Sequence, residues 1–181
     1  MIKWLKRQKK KEEKKLSLSD VLWNCRNALR GVGSTEKNRD AVIGLTFLKF
    51  ASNKFEKKRQ EIINEYGDNP VFLEKDSFYR SDNVFYLPEH TRWSYIKANA
   101  SKDNIATILD EAMKELEERN EPLAGALLRN NFFVTLGADK SSLKKLIDEI
   151  DKINPETYPE EEDLIGRVYE YFLQAYAVAA K

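Results

Sequence analysis

The sequence has 181 residues, of which 41% are hydrophobic and 34% charged, and this composition is typical of a charge-rich globular protein and excludes a disordered one. Its apolar runs are only a few residues long, too short for a helix that spans a bilayer, so no membrane role is expected. The formal net charge is +1, and the single cysteine, Cys25, excludes an internal disulfide and a cysteine metal site, which is typical of a cytoplasmic protein.

Residues 1–16 are predicted to form a basic N-terminal arm. Within its first 15 residues, eight lysines and arginines stand against Glu12 and Glu13. Such an arm can bind phosphate, or it can simply be a solvated chain end, and its role is left open. No long apolar stretch follows it, so it is not a signal peptide.

The segment after the arm is predicted to be a short helix. Ser19 can cap its N-terminus, and the helix runs to about Arg30, where Gly31 and Gly33 stop it. Cys25 lies on the apolar side and is expected only to pack. The glycine pair is interpreted as a helix stop, because a dinucleotide-binding turn would follow a strand and would carry a third glycine.

The longest predicted element is a helix that begins at Ser34 or Thr35 and runs to Tyr66, with Gly67 as its stop. Its first half is apolar on most sides and should lie at the centre of the core. Its second half is mostly polar and should project into solvent.

Residues 67–90 are the least regular part of the sequence. Asn69-Pro70 is a turn signal, and residues 84–87 precede Pro88 and favour an extended conformation, so a short strand pair could form here. His90, the only histidine, is expected to be a surface residue, since it has no second histidine with which to build a metal or nucleophile site.

Helices are predicted in the remaining chain at about residues 91–99, 103–119, 139–153 and 163–181, with a brief turn at 122–128 and a loop at 130–137. The last helix has no Gly, Asn or Pro after Ala180, which suggests a sequence cut from a longer protein. The predicted fold class is therefore all-α, with residues 17–181 as one helical domain. No catalytic, cofactor-binding or metal-binding residue can be assigned, and the glutamates at 115–121 are interpreted as a solvated helix face.

Two features of the sequence could bind nucleic acid. The first is a cluster of cations on the long helix, in which Lys54 and Lys58 lie four residues apart and so share a face; its members are Lys49, Lys54, Lys57, Lys58 and Arg59. The alternative for this cluster is an ordinary charged helix. The second feature is Arg92 next to Trp93, which could contact phosphate and stack on a base. The alternative places Trp93 in the core and pairs Arg92 with a carboxylate.

Short motifs in a fixed order relate the sequence to a known family. They are Leu22-Trp23 with Leu29-Arg30-Gly31, Phe47-Leu48-Lys49, Tyr86-Leu87-Pro88 with Arg92-Trp93, and the run Leu-Ile-Gly-Arg-Val-Tyr-Glu-Tyr-Phe-Leu at residues 164–173. Over about residues 18–180 the sequence resembles the N-terminal helical domain of the modification (M) subunit of type I restriction–modification DNA methyltransferases.

The resemblance implies a parent enzyme that methylates adenine at its exocyclic amine with S-adenosylmethionine, through a catalytic domain that would follow residue 181. It implies duplex DNA, a specificity subunit, a second M subunit and a restriction subunit as partners. It also makes the lysine and arginine cluster and Arg92 stronger candidates for DNA contacts. The alternative is a stand-alone helical protein-interaction module with no role on DNA.

Overall fold

The computed structural model describes residues 16–128 and 131–153, and within these residues the chain forms helices and no β-strand. The all-α prediction is confirmed. The helices are α1 (Leu18–Ala28), α2 (Thr35–Tyr66), α3 (Pro70–Leu73), α4 (Asp76–Arg80), α5 (Trp93–Asn99), α6 (Ile105–Arg119), α7 (Phe132–Leu136) and α8 (Lys140–Asp151), with 3₁₀ turns at Glu89–Thr91 and Glu121–Leu123. The basic arm at 1–15 and the helix predicted at 163–181 lie outside the described residues.

Helix α1 begins with a reciprocal pair of capping hydrogen bonds. The hydroxyl of Ser17 accepts from the backbone N–H of Asp20 at 3.2 Å, and the Asp20 carboxylate accepts from the backbone N–H of Ser17 at 3.0 Å. The predicted cap, Ser19, is therefore wrong by two residues. Only Ser17 has an acidic side chain three positions later, and that residue completes the capping box.

Helix α2 begins and ends as predicted. Ser34 is its N-cap and Gly67 its C-cap, and Gly67 takes a φ of +77° that favours glycine. The 32 residues of α2 span about 48 Å at 1.5 Å per residue. The prediction that its second half projects into solvent holds only in part, because α3 and α4 pack against this half and help to bury Phe55 and Ile62.

The strand pair considered for residues 67–90 does not form in the described structure. Asn69 instead caps α3 by accepting a hydrogen bond from the Val71 N–H at 3.0 Å. The extended residues 84–88 bond to a side chain: the Tyr86 N–H donates to the Asn120 Oδ1 at 3.0 Å, and the Asn120 Nδ2 donates to the Tyr86 carbonyl at 2.9 Å. Asn120 thus supplies the donor and acceptor that a neighbouring strand would otherwise provide.

Helix α7 occupies residues that were predicted to be a loop. The carboxylate of Asp110 on α6 accepts from the backbone N–H groups of Phe133 and Val134 at 2.8 and 3.0 Å, and the Phe133 and Leu136 side chains are buried. The cap comes from more than twenty residues away, so no local pattern reveals it.

The core lies where α8 packs on α1 and α2 and where α6 packs on α7 and α8. Cys25 is fully buried there, as predicted. Trp93 is only 5% exposed, which confirms the core alternative for this residue. Within the described residues, no helix is both long enough and apolar enough to cross a membrane.

Candidate functional site

Three aromatic rings hold together the elements around a charged cleft. Phe55 of α2 stacks on Tyr79 of α4 with 4.7 Å between ring centroids, and Tyr86 meets the two rings edge-on at 5.6 and 5.4 Å. The Tyr79 hydroxyl donates to the Leu73 carbonyl at 2.7 Å, which joins α4 to α3. Burial raises the pKa of Tyr79 to about 12 and also raises the pKa of Tyr86, so both phenols remain protonated at neutral pH.

Two arginine side chains lie over these rings. The Arg92 guanidinium is 4.9 Å from the centroid of Phe55, and its Nε donates to the Leu87 carbonyl at 3.1 Å. The Arg119 guanidinium is 5.1 Å from the centroid of Tyr86 and forms a 2.8 Å ion pair with Asp76. The Phe55 ring and the Tyr86 ring thus each contact one arginine in a cation–π arrangement.

The cleft beside Tyr86 has a volume of about 570 Å³. Its lining combines arginines and glutamates with a few apolar atoms, from Arg59, Leu73, Glu74, Tyr86, Pro88, Glu89, Arg92, Glu115, Glu118 and Arg119. Three arginines stand against four glutamates, so the lining carries a formal charge of −1. Arg59 and Arg92 form no ion pair with any residue of the described structure, although glutamates share the same walls.

The structure separates the predicted cation cluster of α2 into three environments. Lys54 and Lys57 are exposed, and neither forms an ion pair with the described part of the chain. Lys58 pairs with Asp82 and also lies 3.7 Å from Glu61, and its hydrogen bond to Asp82 raises the pKa of Lys58. The charge of Lys58 is therefore largely neutralised within the fold.

Arg59 lies on a different side of α2 from Lys54. Five residues correspond to about 140° around the helix axis, and Phe55, which is buried, lies between the two directions. Arg59 instead faces the cleft that it shares with Arg92. The fold thus places Arg59 and Arg92, which belong to separate features of the sequence, in one cleft, and Lys54 lies on a different side of α2.

Lys49 is buried and belongs to a polar cluster at the edge of the core. It is 5% exposed, and its ammonium contacts both the carbonyl oxygen and the carboxylate of Asp151, with 3.2 Å between Nζ and Oδ1. The same carboxylate accepts from the Trp93 Nε1 at 2.8 Å and pairs with Lys97 at 2.6 Å. Lys49 is therefore not on the surface with the other predicted cations.

The pKa values of this cluster follow from burial and from the opposite charges. Burial lowers the pKa of Lys49, and the nearby Asp151 carboxylate only partly opposes the effect. Burial would raise the pKa of Asp151, but hydrogen bonds from Lys97 and Trp93 and the charge of Lys49 together outweigh it and hold that pKa below its ordinary value.

His90 is exposed, as predicted, with its ring edge-on to Tyr95 at 5.0 Å. Within residues 16–128 and 131–153, no group of three His, Cys, Asp or Glu side chains is placed to hold a metal ion. The sequence interpretation missed the roles of Asn120, Arg119 and Asp151, because each acts through a partner that is more than thirty residues distant.

Comparisons with known proteins identify a family and a relative to which the chain is similar. The model of the HsdM N-terminal domain family matches residues 18–150, which include nearly all of the described helices. The Type I restriction enzyme MjaIX methylase subunit of Methanocaldococcus jannaschii is 30% identical over 164 residues, which is 84% of this chain. The match covers 29% of the length of that relative, so the chain spans less than a third of it.

Proposed function

Because the chain belongs to the HsdM N-terminal domain family, the N-terminal domain of type I M subunits, we propose that it engages duplex DNA and helps to assemble the restriction–modification complex. A downstream domain of the parent protein would then transfer a methyl group from S-adenosylmethionine to the exocyclic amine of adenine. That chemistry requires the base to leave the duplex, and a helical domain that holds the backbone on either side would stabilise the distorted DNA.

One observation supports the proposed binding of DNA by this domain. Lys54 and Lys57 are exposed on the rigid helix α2, and neither has an acidic partner in the described structure. Cations that are not already paired release counterions when they meet phosphate, and this release supplies most sequence-independent affinity for DNA. Lys49 is excluded from the proposal because its charge is buried against Asp151.

The other components of the proposal come from the family. The catalytic residues and the S-adenosylmethionine site would lie in the downstream domain. The specificity subunit, a second M subunit and the restriction subunit would be the protein partners, and the cytoplasm the compartment. The stand-alone interaction module remains the alternative, and it predicts no DNA binding that depends on the lysines of α2.

The test is a titration of the 181-residue chain with duplex DNA of arbitrary sequence at several salt concentrations. Each phosphate contact contributes about 0.9 to the slope of log K against log salt, so Lys54→Ala combined with Lys57→Ala should lower the slope by about 2. The matched control is Lys37→Ala with Lys145→Ala, which removes two exposed lysines from other parts of the surface. A slope that changes equally in both double variants, or in neither, would refute the proposed DNA face.

A further inference from the structure

We propose that the charged cleft around Arg59 and Arg92 is a docking site for a polypeptide segment of the specificity subunit, and that it does not contact DNA. The segment would carry carboxylates flanked by cationic side chains. This inference rests on the assembly role in the proposed function, and it assigns that role to a surface distinct from the one that carries Lys54 and Lys57.

Arg59 and Arg92, the two arginines of the cleft that have no ion-pair partner among the described residues, are suited to bind carboxylates. Arg92 is fixed from below by the Phe55 ring at 4.9 Å and from its Nε by the Leu87 carbonyl at 3.1 Å, which leaves its terminal nitrogens without a described partner. Arg59 likewise forms no described ion pair. A guanidinium that is already oriented loses little conformational entropy on forming a bidentate hydrogen bond, so it is a favourable anchor for a carboxylate.

The remaining charges of the cleft disfavour a polyanion as its ligand. Asp76 pairs with Arg119 and with Arg80, and Glu118 lies 3.7 Å from Lys114. Arg59 and Arg92, which have no ion-pair partner among the described residues, therefore share the cleft with Glu74, Glu89 and Glu115. Duplex DNA presents about one negative charge per 1.7 Å of its axis, and a phosphate held by the arginines would bring its neighbours close to the glutamates. A polypeptide with both signs of charge avoids this repulsion, because its lysines or arginines can pair with the same glutamates.

The shape of the cleft also fits a peptide. Its volume of about 570 Å³ is open to solvent, and the apolar atoms of Leu73, Tyr86 and Pro88 can receive the aliphatic part of an incoming side chain. Asn120 fixes the backbone of Tyr86 through two hydrogen bonds, so this wall of the cleft is formed before any partner arrives. A pre-formed site of this kind lowers the ordering cost of association.

Two single substitutions distinguish a protein partner from DNA by the sign of their effects. Arg59→Gln and Glu74→Gln each remove one charge of opposite sign from the cleft, and Arg30→Gln is the control for a positive charge lost elsewhere. Each variant is made in the full-length M subunit, and its association with the specificity subunit is measured by analytical ultracentrifugation at fixed salt. Thermal melts confirm that the variants remain folded.

The docking site predicts that both cleft variants weaken subunit association about fivefold or more, while Arg30→Gln does not, and that the salt slope for DNA is unchanged. A DNA contact predicts instead that Arg59→Gln weakens DNA binding and Glu74→Gln strengthens it, and this pattern would overturn the inference. Unchanged association in both variants would also overturn the inference. Weaker association in Arg59→Gln alone would refute a partner segment that carries both signs of charge. If the proposed DNA contact through Lys54 and Lys57 is wrong, the salt titration of the double variant shows this independently.

Discussion

Replacing Asp151 by Asn tests whether the polar cluster of Lys49, Trp93, Lys97 and Asp151 holds α8 to the rest of the domain. The Asp151 carboxylate accepts from Trp93 at 2.8 Å and pairs with Lys97 at 2.6 Å and with Lys49 at 3.2 Å. The amide in Asp151→Asn is close in shape to the carboxylate but carries no charge. Lys49, which is 5% exposed, would then keep neutral acceptors, the backbone carbonyl and the amide oxygen of residue 151, but would lose the negative charge that compensates its ammonium.

The size of the effect follows from the burial of the two partners. Removing one member of a buried ion pair typically costs about 3 to 5 kcal/mol, because the other charge is left uncompensated. The Asp151 side chain is 32% exposed, so solvent screens part of this loss, and we expect the free energy of unfolding to fall by about 2 to 3 kcal/mol. For a domain of this size, that corresponds to a decrease in Tm of about 5 to 10 °C.

Urea unfolding of the 181-residue chain measures the change, and a neighbouring residue supplies the control. Asp148 is on the same helix and pairs with Lys144 at 2.6 Å, but both side chains are half-exposed, so Asp148→Asn should change stability by less than about 0.5 kcal/mol. Adding Lys49→Met to Asp151→Asn should restore about 1 kcal/mol or more, because no unpaired ammonium remains buried. Equal midpoints for Asp151→Asn and Asp148→Asn would refute the reasoning.

The same cluster predicts a dependence of stability on pH. The pKa of Asp151 is below 3.8 in the folded state, so its contribution is fully present above pH 3.8 and is lost as the pH falls through the folded pKa. The natural chain and Asp151→Asn should therefore converge in stability in acid. Lys49 shows the opposite dependence. Burial lowers its folded pKa below 10.5, so its destabilising contribution is fully present below the folded pKa and vanishes as the pH rises from that value to 10.5.

Three further substitutions or reactions test local features of the fold. Ser17→Ala should cost about 1 kcal/mol by removing the cap of α1, whereas Ser19→Ala should be nearly neutral, and thermal melts of the two variants decide between the caps. Asn120→Ala should cost about 2 to 4 kcal/mol in urea unfolding, because the buried backbone N–H and carbonyl of Tyr86 lose their partners. Burial raises the pKa of the Cys25 thiol, so a thiol reagent at pH 8 should modify Cys25 only in denaturant, and rapid modification of the folded chain would contradict the buried position.

Local sequence rules predicted the long elements of this fold well. Helix α2 begins after Ser34 and ends before Gly67 because both cap positions carry residues with a clear intrinsic preference. The helices predicted at about residues 103–119 and 139–153 likewise form, as α6 and α8. These signals lie within a few residues of the features that they specify, and so they can be read from one sequence.

Most predictions that were wrong depend on residues far apart in the chain; the cap of α1, set by Ser17 and Asp20, is a local exception. Helix α7 forms because Asp110 caps it, and residues 84–88 stay out of a sheet because Asn120 bonds to Tyr86. The cation cluster of α2 was predicted as one unit, yet a helix turns residues only a few positions apart to different sides, so Lys49 enters the core and Arg59 reaches the cleft. The sequence shows which residues are cations, but only their neighbours in the fold show which cations have no ion-pair partner and are accessible to a ligand.

Helix α2 can act as a lever between the core and its far end. It contains no proline, and its interior from Lys49 to Tyr66 carries no glycine, so this half should move as a stiff rod. The distance along the axis from Lys49 to Tyr66 is about 26 Å, and a tilt of about 10° at the Asp151 contact would therefore displace the tip by about 4 to 5 Å. A small change in the packing of α8 against α2 would thus move Lys54, Lys57 and Arg59 together. Each displacement would be proportional to the distance of the residue from the Asp151 contact.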